Sequence, residues 1–447
     1  MPSAPVTAPT AGLENLAPTN VRPDAPAWFQ QRSAAAWDEF QSLPMPGNRD
    51  EHWRYSSAKR LALDGMQIAP AVNEADKMLA IANSIGIADQ HPFVGTSRSP
   101  AIKLVFVNDI LVHEDTEAVN GGIVCLPFSE ALKSQGDVLE QYLMKRKVEL
   151  GSAKFAALHL AHVRAGVVVL APKNAVLEHP IEIFHWVSGA GSIIFPHTLI
   201  VTGDHAQVTV VDYHGSLRDE ATASIAVADF VAGAGSRITY VNVQELSPSS
   251  SALHISSTTV NRDAGVKALQ LHLGASFART ESVSDLGGEG ARSEMLGVSL
   301  PVDEQCVDMR TLQHHAAPRT FSDLLYKNAL YGKTKTVFAG LISVDHGAHF
   351  TDAYQKCRNL LNSADCEADS LPGLEINADQ VKCSHGATSA PISDDELFYL
   401  KARGITDSES RKLIATGFLE DAIAKLENVA LIAELDRRIE QKFALMV

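Results

Sequence analysis

The alternation of apolar and polar positions changes twice along this chain. In the first part it has helical spacing: Trp28, Arg32, Ala36, Trp37 and Phe40 fall on one helix before Pro44 and Pro46 stop it. A second helix is predicted over Glu74–Ile85, with Leu79, Ala82 and Ile85 on one face, and a third near Ser129–Leu150. Between them, Ala101–Val107 and Ile110–His113 read as a strand pair around Asn108-Asp109. From about 155 to 390 the period shortens to strand-like runs: Val167–Leu170, Ile181–Val187, Ile193–Val201, Val208–Tyr213, Ile225–Val231 and Ile238–Val243. Turn clusters such as Pro172-Lys173-Asn174, Gly203-Asp204 and Asp345-His346-Gly347 separate them. Beyond Pro391 the helical period returns. Ser393-Asp394-Asp395-Glu396 has the form of a capping box ahead of Leu397–Arg403, which Gly404 ends. A last helix from about Leu426 places Ile432, Leu435, Ile439, Phe443 and Met446 on one stripe, which must bury against a solenoid end or a partner groove.

These changes divide the chain into a Pro-rich tail over 1–26, expected to be disordered, a mainly helical region with a small strand pair over 27–150, a β core over 151–390 and a helical segment over 391–447. Within the core, Gly189-Ala190-Gly191-Ser192 returns as Gly233-Ala234-Gly235-Ser236, an offset of 44. That offset fits two coils of roughly 22 residues in a β-solenoid. The same strands also fit a sandwich or a barrel.

Composition narrows the function classes. A formal charge of −15 over 447 residues argues against nucleic acid, which needs a basic face. No apolar run approaches the roughly 18 to 20 residues that cross a bilayer, and the N-terminus lacks a secretory pattern. Cys125, Cys306, Cys357, Cys366 and Cys383 show no C-x-x-C spacing. This suits a reducing cytoplasm and does not suit a chain that holds a four-cysteine cluster by itself. No G-x-x-x-x-G-K-S/T loop occurs, so the chain is not read as an ATPase.

The chemistry concentrates in Val381-Lys382-Cys383-Ser384-His385-Gly386-Ala387-Thr388. In a strand, positions two apart share a face, so the thiol of Cys383 and the imidazole of His385 project side by side. That donor pair suits iron or another soft to borderline metal, yet two ligands do not close a site. Any further ligands must come from elsewhere, such as a partner chain. The bland reading of the same pair is a buried cysteine beside a hydrogen-bonded histidine. Adjacent His314 and His315 face opposite ways in a strand and cannot share a metal, while His346 and His349 flank a turn. Asp303, Asp308, Asp323 and Asp345 admit a remote alternative, a polysaccharide lyase or hydrolase on a β-helix.

The run Thr351-Asp352-Ala353-Tyr354-Gln355, then Arg358-Asn359-Leu360-Leu361, Leu374-Glu375-Ile376, the Cys383–Thr388 stretch and Leu397-Phe398-Tyr399-Leu400 with Arg403-Gly404 resembles the SufB/SufD family of iron–sulfur cluster assembly scaffolds. Glu51-His52-Trp53-Arg54-Tyr55-Ser56 is similar to that family's N-terminal signature, and the likeness spans about residues 50 to 447. Ser384 and Gly386 make the stretch more like the SufD branch than the SufB branch, whose version reads closer to C-E-H-E-A-T. The resemblance implies a right-handed parallel β-helix between helical ends and a non-catalytic subunit. It further implies a heterodimer with SufB and binding of the ATPase SufC, which carries the ATPase activity. A homodimer is allowed where SufB is absent. His385, with Cys383 beside it, would meet a transient Fe–S cluster or iron at the SufB interface. The C-terminal helices, including Phe398, Tyr399 and Arg403, would contact SufC. Reduced flavin is associated with the family's assembled complex, without a site assignable here. A SufB-like main scaffold is the alternative within the family.

Overall fold

The computed structural model describes residues 13, 16–18, 24–47, 49–87, 102–116 and 122–446. The chain winds between two sheets, giving each strand to the sheet opposite the one before, so that successive coils stack in parallel register. One sheet runs from Ala165–Ala171 through Pro196–Thr202, Ala223–Ala232, Ser251–Val260, Phe277–Leu286, Cys306–His315 and Lys335–Val344 to Glu367–Ile376. The other runs from Ile181–Val187 through Gln207–Ser216, Arg237–Glu245, Gly265–His272, Arg292–Ser299, Phe321–Leu330 and Asp352–Leu361 to Lys382–Pro391. This is a parallel β-solenoid of about eight turns, with helices before and after it. A sandwich and a closed barrel, both left open by pattern, are excluded, because every pairing between these core strands is parallel.

The coil is longer than the glycine repeat suggested. Neighbouring rungs are 26 residues apart at Ser256 and Ser282 and 32 apart at Lys335 and Glu367. Gly189 turns the chain from the second sheet into the first, whereas Gly233 turns it from the first into the second. The repeat therefore joins opposite corners, about one and a half turns apart, and does not mark two coils.

Each sheet's outer face is covered by one end of the chain. Against the first sheet, Trp53, Leu61, Phe155 and Leu158 pack on Ile225, Val227, Leu253, Ile255 and Phe277. Of the predicted tail over 1–26, most residues lie outside the described ones; Leu13 and Leu16 are described, and both are buried in this cluster. Against the second sheet, the C-terminal helices bury Ala415, Leu419, Ala422, Leu431, Leu435, Ile439 and Phe443 on Val241, Val243, Leu269, Leu271, Leu296 and Val298. The stripe of the last helix thus lies along a sheet face and not on the solenoid's end, the solenoid option expected from sequence. The reason is electrostatic as well as apolar: Arg438, buried on the same stripe, pairs with Glu434 and Glu245 and stacks 4.3 Å over the ring of Tyr213.

Two local expectations are corrected. The helix predicted over Ser129–Leu150 is two short ones, Phe128–Ser134 and Gly136–Tyr142, because Gln135 leaves helical geometry and Met144 takes a left-handed conformation (φ 43°). Ser393 makes no side-chain capping bond; the capping box stands at Thr406 and Glu409, at the start of Asp407–Ile423. Among the described residues, no helix is long and apolar enough to cross a membrane.

Candidate functional site

The two ends of the solenoid differ. At the start, Val124–Pro127 pairs antiparallel with Ala165–Ala171, while Ile102–Val107 pairs parallel with Ile181–Val187 and is itself covered by antiparallel Ile110–Thr116. At the other end, Glu367–Ile376 and Lys382–Pro391 are the outermost strands of their sheets, and among the described residues no further strand follows either. Nearly every residue of Lys382–Pro391 is exposed, including those whose counterparts one coil earlier are buried. An uncovered edge of this kind pairs readily with another chain.

Cys383 and His385 sit on this last strand. Cys383 is in register with Ala353 and His385 with Gln355, both fully buried inward positions, so both side chains belong to the interior face of a coil that nothing closes. Cys383 is half-buried against the cluster of Ile342, Val344, Ala348 and Ala353. Burial, with the charge of Asp352, pushes its thiol above the ordinary value, so the thiol is protonated at neutral pH in the free chain. His385 is exposed. Among the described residues no group of three or more His, Cys, Asp and Glu side chains is placed to hold a metal. The donors are of the right kind for iron and too few for a private site.

Other candidates have structural partners. His314 faces outward between Asp285 at 2.7 Å and Asp345 at 3.1 Å, while His315 faces inward onto Thr320 and Ser322. His349 meets the carbonyl of Asp379. Asp308 is buried between Arg279 and Arg310, and Asp323 pairs with Lys425. These contacts account for three of the aspartates behind the carbohydrate-enzyme alternative.

The C-terminal helices expose what the sequence singled out. Asp394–Lys401 buries Leu397 but leaves Phe398 73% and Tyr399 57% exposed, and Arg403 lies 3.7 Å over the Tyr399 ring. The next helix, Asp407–Ile423, is fastened to the second sheet by Lys327–Asp421 at 2.8 Å and by Lys327 over Phe418.

Sequence reasoning missed the polar interior. One inward column of the second sheet reads His185, His214, Gln244, His272, Ser299, Asn328, Asn359 and Ser389 in successive register. Beside it, buried Asp212 faces His185 and His214 at 3.3 Å each and accepts from Thr198 and Tyr240. Burial alone would raise that carboxyl, yet His214 and His185 outweigh it and hold it well below the usual carboxylate range. The signal that finds this column is like residues recurring at the coil length, such as His185 and His214.

Residues 185–418 match the SUF system FeS cluster assembly SufBD core domain, more than half of the chain. The chain belongs to the SufBD family. It is 24% identical over 422 residues to the iron–sulfur cluster assembly protein SufD of Bacillus subtilis, covering 93% of this chain and 94% of that protein. It is 25% identical over 431 residues to SufD of Escherichia coli, covering 92% and 93%. The SufB protein of Bacillus subtilis is 25% identical over 409 residues, covering 89% and 85%. SufBD relatives with either name are thus similar at one level of identity, and the match covers both the solenoid and its helical ends.

Proposed function

We propose that this SufBD protein is the SufD-type, non-catalytic subunit of a cluster assembly complex, pairing with a SufB-type chain through its open last coil. The observation that carries the reading is the uncovered strand Lys382–Pro391, which presents Cys383 and His385 on one face without a third ligand among the described residues. A partner coil seated there supplies the missing strand and further donors. The nascent Fe–S cluster, or the iron from which it forms, is the cargo at that junction. His385 is its ligand or proton-handling group, and Cys383 is the lesser contributor while its thiol stays protonated. Ser384 and Gly386, as in the SufD-like pattern, favour this branch over a main SufB-type scaffold. Where SufB is absent, the same edge serves a homodimer. The cytoplasm is the compartment this reading requires. No residue is assigned to flavin.

His385→Ala is expected to lower cluster yield about tenfold in the co-expressed complex, with melting shifted by no more than about 1 kcal/mol because the side chain is exposed. Cys383→Ser is expected to lose less. Iron and acid-labile sulfide per purified complex are the measurement, and a wild-type yield from His385→Ala removes the site.

The ATPase contact is assigned to Phe398, Tyr399 and Arg403, since exposed aromatic side chains beside an arginine have the composition of interface anchors. Deleting 391–447 is a poor test, because it strips cover from the apolar outer face of the second sheet. Phe398→Ser with Tyr399→Ser is expected instead to weaken capture of SufC at least tenfold, with the melting curve unchanged. Undiminished capture by the folded double variant places the contact elsewhere.

A further inference from the structure

The last coil carries the proposed site but has few interior contacts to hold it. Its inward side chains look out of an open end, so packing cannot fix the strand as it fixes the coils beneath. Beside the backbone ladders, one side-chain amide reaches both strands of the last coil. Asn359, buried in the coil below, donates through Nδ2 to Ser389 Oγ at 3.0 Å on the last strand of the second sheet. The same nitrogen faces Ser370 Oγ at 3.2 Å on the last strand of the first sheet. Its Oδ1 accepts from Asn328 Nδ2 at 2.8 Å, and the Oδ1 of Asn328 accepts in turn from Ser299. The four residues are register partners, Ser299 to Asn328 to Asn359 to Ser389, so the bonds run along the solenoid axis. Every carbonyl oxygen in this ladder faces the solenoid's start and every amide nitrogen faces its open end.

We infer that Asn359 is a positioning residue: it holds both strands of the last coil on the body and thereby sets where Cys383 and His385 stand. The placement favours this role over one in global stability. Asn328 and Asn359 are buried, where an apolar pair would pack as well, whereas the terminal acceptor Ser389 is exposed and contributes little to the core. A ladder of amides in a single direction fixes register as well as distance, because slipping the last strand by one residue turns Ser389 away and also turns Cys383 and His385 outward. At its outer end, the hydroxyl hydrogen of Ser389 is left to donate to whatever coil docks there, so a partner chain is matched when it offers an acceptor at that column.

The role in cluster assembly rests on the function proposed above; the positioning itself does not, and the two are measured apart. In the isolated chain, Ser389→Ala and Asn359→Leu are each expected to speed alkylation of Cys383 about tenfold, the equivalent of roughly one lost hydrogen bond. Cys366, whose thiol meets the carbonyl of Ser363 outside the ladder, is the internal reference for Ser389→Ala and keeps its rate there. Amide exchange is expected to quicken over 382–391 in Ser389→Ala, and over 367–376 as well in Asn359→Leu, which also loses the bond to Ser370. Ser389→Thr keeps the acceptor oxygen and is expected to restore the wild-type rate. The double variant should be no faster than Asn359→Leu alone, since that variant already breaks the link to Ser389. Wild-type labelling in Ser389→Ala, or additive effects in the double variant, overturns the positioning role. If labelling quickens as expected but cluster yield in the complex with the SufB partner does not fall, the positioning stands as structural and its functional consequence is refuted. A His385→Ala complex with wild-type yield would instead refute the site, whatever the strand does.

Discussion

Arg279→Ala is expected to cost about 4 kcal/mol and to free the N-terminal segment from the solenoid. Arg279 is among the largest fully buried side chains of the chain. Its guanidinium lies 3.8 Å over the Trp53 ring, donates to the carbonyls of His52 at 3.1 Å and Leu150 at 2.8 Å, and pairs with Glu281 and Asp308. The Trp53 indole donates in turn to Gly151, and Ser56 donates to Asp308. The segment Glu51–Ser56 is therefore clamped to the first sheet through one cation. Removing it leaves Asp308 with Arg310 but strands Glu281, whose remaining partner is Ser152. An uncompensated buried carboxylate is the costly part, as breaking a buried pair removes about 3 to 5 kcal/mol. Glu281→Gln removes that charge while keeping an acceptor and is expected to cost less than half as much. Denaturant melts and early proteolytic cuts near residue 50 are the measurements. A wild-type midpoint for Arg279→Ala would show that the clamp holds nothing.

The sequence carried the elements better than their arrangement. Ile181–Val187 and Ala223–Ala232 were legible because apolar strand runs stand between turn residues. Helix Ala27–Ser42 was legible because Trp28, Arg32, Ala36, Trp37 and Phe40 fall at helical spacing and prolines follow. The coil length was not, because the glycine pair that suggested it marks corners, where backbone geometry demands glycine or small residues whatever the period. The destination of the last helix was also hidden. Its stripe says that it buries, and only Arg438 meeting Glu245, 193 residues away, says against what.

The candidate site divides in the same way. That Cys383 and His385 share a face follows from the two-residue alternation of any strand, and the structure has them on one. That the strand is the last rung, with an open end above and an amide ladder below, depends on parallel register between residues 26 to 32 positions apart. Asn328, Asn359 and Ser389 look like ordinary polar strand residues until that register lines them up.

Acidification from pH 6.5 to 4.5 is expected to remove roughly 5 kcal/mol of stability, the largest effect of solution conditions on this fold. Burial holds four interior histidines neutral: His159 is held well below its ordinary value, His254 is pushed down to about 3, further lowered by His214, His272 to about 4, and His315 to about 4, also lowered by His314. In the unfolded chain each protonates near its ordinary value of 6.5. Between those limits the unfolded state binds more protons, so stability rises with pH. The contribution is complete above about 6.5 and is lost as pH falls toward 4. Two groups oppose the trend. His314 is raised by its hydrogen bond to Asp285, and burial raises Asp436 to about 6, so both favour the folded state as acid is added. They lie nearer the surface than the four interior rings, and solvent screens their share. Carboxylates such as Asp212, held down in the fold, lose their contribution only below about pH 4, so the histidines dominate the window from 6.5 to 4.5. Denaturant midpoints at pH 6.5, 5.5 and 4.5 test this, with His272→Gln expected to flatten the slope by about a quarter. Midpoints that stay level across the window would mean that these rings are not held neutral by burial, and that the solenoid interior is wetter than its packing indicates.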